Sequence, residues 1–331
     1  MRLVERDAME RITIVVPCYN EQESVEKFYT EASVVLSGIF GCEFVYLFID
    51  DGSMDNTLFH LKELTNREPS VNYLSLSRNF GKEAAMMAGL DYAEGDAVII
   101  MDVDLQHPPE LIPEMIKWWH AGYDDVCARR TDRDNESWFK RSMANLFYIC
   151  LQSVSKFRVQ RDVGDFRLLD KRCVAALRLM RESQRFTKGM FTWVGYKKKE
   201  IPFHVRPRAA GTTSWSYLAL FNLAIEGLTS FTTAPLRLTT ILGICVSMAS
   251  MLYMFWVFFN ALCYGDPVAG YPTLMTVMLF LGGVQLFSLG IMGEYLGRVF
   301  TESKHRPIYL VDEYNGEKIM PGSLEFETHD R

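Results

Sequence analysis

The chain has 331 residues, a formal net charge of −6 and a pI of about 5.6, so no global basic field recruits nucleic acid. Its seven cysteines (18, 42, 127, 150, 173, 245 and 263) include no close pairs, which excludes a Cys-x-x-Cys zinc framework and fits reduced thiols in a cytosol-facing protein. The mean hydropathy of −0.00 averages two unlike parts, a mixed stretch over 1–235 and a strongly apolar one over 237–297, and the charged first ten residues carry no secretion signal.

Ile12–Val16 reads as a buried strand closed by Pro17, and helical periodicity runs from Glu21 to Leu36. Phe44–Ile49 is a second strand, ending in Asp50-Asp51-Gly52-Ser53. Asp55 is placed to N-cap a helix reaching about Asn66. Val71–Leu76 is a third strand, Gly81–Ala93 a helix with small residues along it, and Ala97–Met101 a fourth strand. Strands alternating with helices predict a doubly wound, mostly parallel sheet.

The fourth strand ends abruptly in Asp102, Asp104 and Gln106, and Pro108 and Pro109 stop its continuation. Two carboxylates two residues apart at a strand end suit a hard divalent cation that takes its remaining ligands from phosphates and water. Taken alone, the same residues also fit a solvated acidic turn. Three strand ends in this chain are polar or acidic, however: Tyr19-Asn20-Glu21, Asp50-Asp51 and Asp102–Gln106. In an open α/β sheet such ends line one rim, where ligands bind. The turn Asn79–Glu83 precedes a helix and offers either a phosphate cradle or a plain helix start with a surface Lys82. Residues 128–141 hold five cations in fourteen positions, next to the strand-like Asp125–Ala128.

VVPCYNEQES, FIDDGSMDNT, SRNFGKEAAMMAGL and DVDLQHPPE, in that order, resemble the nucleotide-sugar glycosyltransferases of the GT-A fold, family 2. Within that group the chain is most similar to the bacterial polyprenyl-phosphate (bactoprenol) glucosyltransferases, relatives of dolichol-phosphate mannose synthase, over residues 10–310. The resemblance implies a GT-A, Rossmann-like α/β domain and an inverting transfer of one hexose, glucose above other sugars, from a UDP-sugar to undecaprenyl phosphate. It also implies roles for residues. Pro17, Tyr19, Asn20, Glu21, Asp50, Asp51, Lys82 and Asp102 would hold the nucleotide-sugar. Asp102, Asp104 and Gln106 would hold Mg2+ or Mn2+, with Asp104 catalytic. Asp165, in Val163–Leu168, matches the GDFRL segment and would face the acceptor as a base, an orienting group or an electrostatic stabiliser. Arg130, Arg133, Arg141 and Arg208 would meet the acceptor phosphate. Two positions depart from the family: His107 stands where Asp is usual, and Ser214 where Lys is common. Gln184-Arg185-Phe186 lacks the spacing of the QxxRW motif of processive synthases.

Beyond the domain over 1–215, the stretch 216–236 reads as juxtamembrane amphipathic helices. No charged residue lies between Arg237 and Asp266, nor between Asp266 and Glu294. Two spans, about 238–262 and 272–296, would therefore form a transmembrane hairpin over 237–297. Arg237, Arg298, Lys304 and Arg306 flank it while its loop carries no Lys or Arg, which puts the catalytic domain and both termini on the cytoplasmic side of the bacterial inner membrane. Gly282, Gly283, Gly290, Gly293 and Gly297 suit close helix packing in a homo-oligomer, a tetramer by family resemblance. A lipid-sugar flippase is a further expected partner. The tail over 298–331 is expected to be loosely ordered after Pro307. Two rivals remain at this point: another UDP-sugar donor, and an inactive lipid-phosphate binding or translocating protein.

Overall fold

The computed structural model describes residues 9–131, 163–183, 185, 187–203 and 270–320, with isolated helical positions between 236 and 263. The expected apolar runs form strands. β1 (Glu10–Cys18), β2 (Cys42–Asp50), β3 (Val71–Leu76) and β4 (Ala97–Ile100) are buried through most of their length because helices cover both faces. On one face Ile12, Ile14, Val16 and Phe48 pack against α1 (Val25–Leu36), α2 (Thr57–Arg67) and α4 (Ile112–His120). On the other, Val15, Leu47 and Ile49 pack against α3 (Lys82–Tyr92), α5 (Lys171–Arg178) and α6 (Thr187–Trp193).

The sheet is mixed, which corrects the expectation of a mostly parallel one. β1 pairs in parallel with both β2 and β4, so the strand order reverses across β1 and opens a crevice at its carboxyl end. Next to β4, however, β6 (Val163–Asp170) runs antiparallel, and β5 (Asp125–Arg130) pairs antiparallel with β6 and parallel with β7 (Lys198–Phe203). The consequence lies in the register. Ile100 pairs with Arg167, and extending that ladder by two residues in each strand sets Asp102 opposite Asp165. The antiparallel insertion is therefore what joins the DxD loop to the GDFRL segment.

Three further corrections follow. The N-cap position of α2 is Asn56, while the Asp55 carboxylate accepts from the Thr57 N–H at 3.0 Å. The fourth strand stops at Ile100, with Met101 donating its N–H to Val15 O at 3.0 Å. The chain after Pro307 is ordered to Met320: β8 (Val311–Tyr314) adds antiparallel to β3 and β9 (Glu317–Lys318) to β8. The tail is held because Tyr309 Oη reaches the buried Asp91 carboxylate at 2.7 Å and Lys62 Nζ reaches Glu313 at 2.8 Å.

α7 (Tyr271–Glu302) is 32 residues long, or about 48 Å. Its Leu274, Met278, Leu286 and Leu289 face outward. Among the described residues no helix is long and apolar enough to cross a membrane. The uncharged run that suggested the second span begins among positions of α7 whose side chains lie outside the described set. The amphipathic stretch 216–235 lies outside the described residues, as do Arg133, Arg141, Arg208 and Ser214.

Candidate active site

The crevice at the ends of β1, β2 and β4 is a cleft of about 300 Å3. Its lining includes Pro17, Tyr19, Glu21, Asp51, Lys82, Asp102 and Asp104, seven of the residues expected there, drawn from four separate segments.

The β1 and β2 loops are braced against each other. Asn20 takes a left-handed backbone (φ 55°), accepts from the Met54 N–H at 2.8 Å and receives the Ser53 hydroxyl oxygen as acceptor for its own N–H at 3.0 Å. The Glu21 N–H donates to Thr57 Oγ1 at 2.8 Å, and the Ser24 hydroxyl to the Glu21 carboxylate at 2.7 Å. Asp50 accepts from the Ser53 N–H at 3.1 Å and the Ser75 hydroxyl at 3.0 Å, and it is 1% exposed. Asn20 and Asp50, both expected on the nucleotide, therefore do not line the cleft. Their side chains fold the loops that do.

Asp51 performs a second anchoring task while still lining the cleft. Its carboxylate accepts from the Phe80 N–H at 2.7 Å and the Gly81 N–H at 2.9 Å. Two of the backbone donors before α3 that a phosphate cradle could use, those of Phe80 and Gly81, are thus already engaged by Asp51. Burial pushes the Asp51 carboxyl above its ordinary range, with these two N–H groups opposing. Gly52 is required beneath this arrangement: its φ is 67°, and a Cβ there would lie 2.4 Å from the Arg78 carbonyl carbon.

The β4 side is organised by charge. Lys82 Nζ, from the first turn of α3, lies 2.7 Å from Asp102 Oδ1, 2.9 Å from Asp102 Oδ2 and 2.9 Å from Asp165 Oδ2. Burial alone would lower the ammonium pKa, but Asp102 and then Asp165 outweigh it and hold it well above the usual lysine value. Glu83, next along α3, is pushed up to about 7, first by burial, with the Thr187 N–H opposing and Asp165 adding to the rise. Leu105, between Asp104 and Gln106, is a buried apolar residue in the left-handed region at φ 58°, a strained conformation that the loop retains. The Gln106 N–H turns back onto Asp104 Oδ1 at 3.2 Å.

His107 serves packing. Its ring lies 5.3 Å from that of Phe166 and 5.5 Å from that of Phe203. Nδ1 has no hydrogen-bond partner among the described residues and stands 3.8 Å from Asp102 Oδ2. Burial pushes its pKa down, with Asp102 and Asp104 opposing.

A divalent cation fits the donors here on two counts. Asp102, Asp104 and Gln106 are hard oxygen donors, and Asp102 already holds a positive ion, the Lys82 ammonium. Among the described residues no three His, Cys, Asp or Glu side chains converge as a complete metal site, so phosphate oxygens would have to finish the coordination.

Arg130 is exposed at the end of β5, on the far side of β6 from β4. Cys18, Asn79, Gly81, Ala85 and Val103 also line the cleft. Cys18 was not singled out from the sequence, and its place between Pro17 and Tyr19 was the available signal. The Lys82–Asp165 pair had none, because it depends on the register between β4 and β6.

The profile of glycosyl transferase family 2 matches residues 13–178, and that of the GtrB C-terminal hairpin matches 234–299. An uncharacterized glycosyltransferase of Synechocystis, sll0501, is 42% identical over 310 residues, 94% of this chain and 97% of its own. The bactoprenol glucosyl transferase of Shigella phage SfV is 44% identical over 301 residues, 91% of this chain and 98% of its own. Among solved structures, the mannosyltransferase PcManGT from Pyrobaculum calidifontis in complex with GDP-Man and Mn2+ superposes with a TM-score of 0.45. It shares 14% identity over 86% of this chain and 88% of that one, too distant to transfer a ligand.

Proposed function

We propose, from the premise that this chain belongs to glycosyl transferase family 2, that it moves one glucose from UDP-glucose to undecaprenyl phosphate at the cytoplasmic face of a bacterial inner membrane. The product would serve cell-surface glycan modification. The observation that carries the reading is the facing pair Asp102 and Asp165, bridged by Lys82, with Lys82 and Asp102 lining the cleft. One carboxylate belongs to the donor side of the site and the other to the strand expected to face the acceptor.

In this mechanism the β1 and β2 loops seat the nucleotide, with Asp51, Tyr19 and Glu21 reaching the cleft. Asp102 and Asp104, with Gln106, would hold Mg2+ or Mn2+, which supplies a Lewis acid for the departing diphosphate. Asp165 lies outside the lining of the cleft and faces Asp102 across the Lys82 ammonium. A polyprenyl phosphate oxygen is already ionised near neutral pH, so Asp165 has little proton to remove. It orients the acceptor and stabilises positive charge on the sugar while the phosphate attacks from the face opposite the leaving group, inverting the anomeric centre. Arg130, with Arg133, Arg141 and Arg208, would receive the lipid phosphate as fork-shaped donors. His107 holds the DxD loop by packing and takes no part in ligation.

The membrane location rests on two supports. The hairpin profile matches 234–299, and the large apolar side chains of α7 point outward, as a surface facing lipid requires. We assign the two spans to about 238–262 and 272–296, preceded by amphipathic helices over 216–236, with the domain over 1–215 and the tail over 298–331 in the cytoplasm. A homo-oligomer through the glycine-bearing face of α7, and a flippase that takes the product, complete the proposal.

The test is a donor panel: purified full-length protein, undecaprenyl phosphate and each UDP-sugar in turn, with lipid products weighed by mass spectrometry. A hexose adduct from UDP-glucose is expected. An adduct from UDP-GlcNAc, UDP-GalNAc or a pentose donor alone would replace glucose and leave the mechanism in place. No adduct from any donor would favour an inactive lipid-phosphate binding protein.

A further inference from the structure

We propose that Lys82 is an internal placeholder for the divalent cation: its ammonium closes the cation site and leaves when a metal–nucleotide complex is seated. The inference rests on the reading of Asp102 as a cation ligand and adds to it the residue that regulates access.

The geometry is that of a small cation in a carboxylate site. Nζ lies within 2.9 Å of both Asp102 oxygens and of Asp165 Oδ2. An ammonium so placed engages the lone pairs that a metal would need. Its three carboxylate contacts come from the loop after β4 and from β6, and it arrives from a third element, α3. That helix is rigidly seated, because a Cβ at Gly89 would lie 2.2 Å from Val15 Cγ1. The backbone of Lys82 is therefore fixed while its four-carbon stem is free to rotate.

The pair is built to separate. The Lys82 side chain is 45% exposed against 24% for Asp102 and 18% for Asp165, so solvent reaches the pair from the lysine side. A permanent ion pair in the same sheet looks different. Arg167 and Asp125 are both buried, 3.1 Å apart, and Arg167 is further tied to Gly164 O at 3.0 Å and stacked over Phe191. Beside that buried pair, the Lys82 contacts are a latch.

One departure has two effects. Removing the ammonium opens Asp102 to the cation and takes from Asp165 the positive charge that faces it. The donor complex must then bind before the acceptor. The freed ammonium stays in the cleft that it lines, where it meets the diphosphate as a counter-charge.

The test is Mn2+ binding to the full-length protein in detergent, read by electron paramagnetic resonance, with and without UDP. An opposite charge within hydrogen-bonding range commonly favours the ionised carboxylate by about tenfold or more. Lys82→Gln and Lys82→Met, each checked by its melting temperature, are expected to bind Mn2+ alone at least about tenfold tighter than the wild type. Lys82→Arg, which keeps the charge, should bind no tighter. UDP should narrow the gap, because the nucleotide displaces the ammonium in the wild type. Unchanged or weaker Mn2+ affinity in whichever of the Gln and Met variants folds overturns the proposal, as does equal tightening by Lys82→Arg; in both cases the cation reading of the DxD loop stands. Retention of Mn2+·UDP binding by Asp102→Asn overturns both together.

Discussion

The two sides of the cleft hold their acidic residues in opposite ways. On the β1–β2 side, Asp50 and Asp51 are buried and engaged by backbone N–H groups and a serine hydroxyl. Nothing there waits for a ligand to be satisfied. On the β4–β6 side, Asp102 and Asp165 both contact the Lys82 ammonium, and Leu105 is held in a strained turn between the other two candidate cation ligands. The first side is a braced scaffold, the floor on which the proposed nucleotide would sit. The second is held together by charge and changes partners when ligands arrive. Carboxylates of the same type therefore carry different duties, decided by whether their partners are backbone or side chain.

That contrast breaks most visibly at Asp165. Asp165→Asn keeps size and hydrogen-bonding shape but removes the charge that faces Lys82. Sugar transfer is expected to fall by about 10²- to 10³-fold, the loss typical of removing one group that acts on transition-state charge. The melting temperature should stay close to that of the wild type, since the Lys82 contact is half exposed. Radiolabelled transfer and thermal melting together decide it. A collapse in stability with activity merely proportional to folded protein would assign Asp165 to the scaffold instead.

On the other side the same experiment should come out reversed. Asp51→Ala leaves the Phe80 and Gly81 N–H groups without their acceptor. Losing two hydrogen bonds to a charged acceptor in a buried turn costs about 2 to 4 kcal/mol, several degrees of melting temperature. Binding of UDP would weaken as a secondary result, through displacement of the start of α3. If the variant melts like the wild type and only UDP affinity falls, Asp51 is chiefly a nucleotide contact and the contrast between the two sides is smaller than drawn here.

How much of this was legible in the sequence follows the same division. The four parallel strands showed as apolar runs because each is buried on both faces, and their polar ends marked the rim. The family motifs pointed to seven residues that do line the cleft. Asn20 and Asp50 brace the loops rather than line the cleft, a distinction the sequence does not carry because a polar side chain at a strand end looks the same whether it faces ligand or a neighbouring loop. The antiparallel β6 was hidden for a different reason. Its direction depends on which strand it pairs with, and the facing of Asp102 and Asp165 is a property of that register rather than of either segment. β8, with the sequence Val-Asp-Glu-Tyr, lacks an apolar run, and it is a strand because Tyr314 and Glu313 find Leu74 and Ser75 on β3. Lys82 was expected on the nucleotide side, and its contacts with Asp102 and Asp165 had no sign in the sequence.

The smallest expected effect lies at Glu83, on the charge-organised side beside Asp165. Burial pushes its carboxyl up to about 7 from an ordinary 4.5. Raised in the folded state, such a group favours folding while it is protonated. The contribution is complete below about pH 4.5, the unfolded value, and is lost as pH rises through about 7, the folded one. Glu83→Gln is neutral throughout and retains an oxygen to accept the Thr187 N–H, which lies 3.3 Å from Glu83 Oε1. Its melting temperature should match the wild type in acid and exceed it by about a few degrees at pH 8. Asp165→Asn should reduce that difference, because Asp165 is one of the charges that raise Glu83. Melting curves that run parallel from pH 4 to 8 would place Glu83 in ordinary solvent contact and confine the charge-held part of the site to Lys82 and its two aspartates.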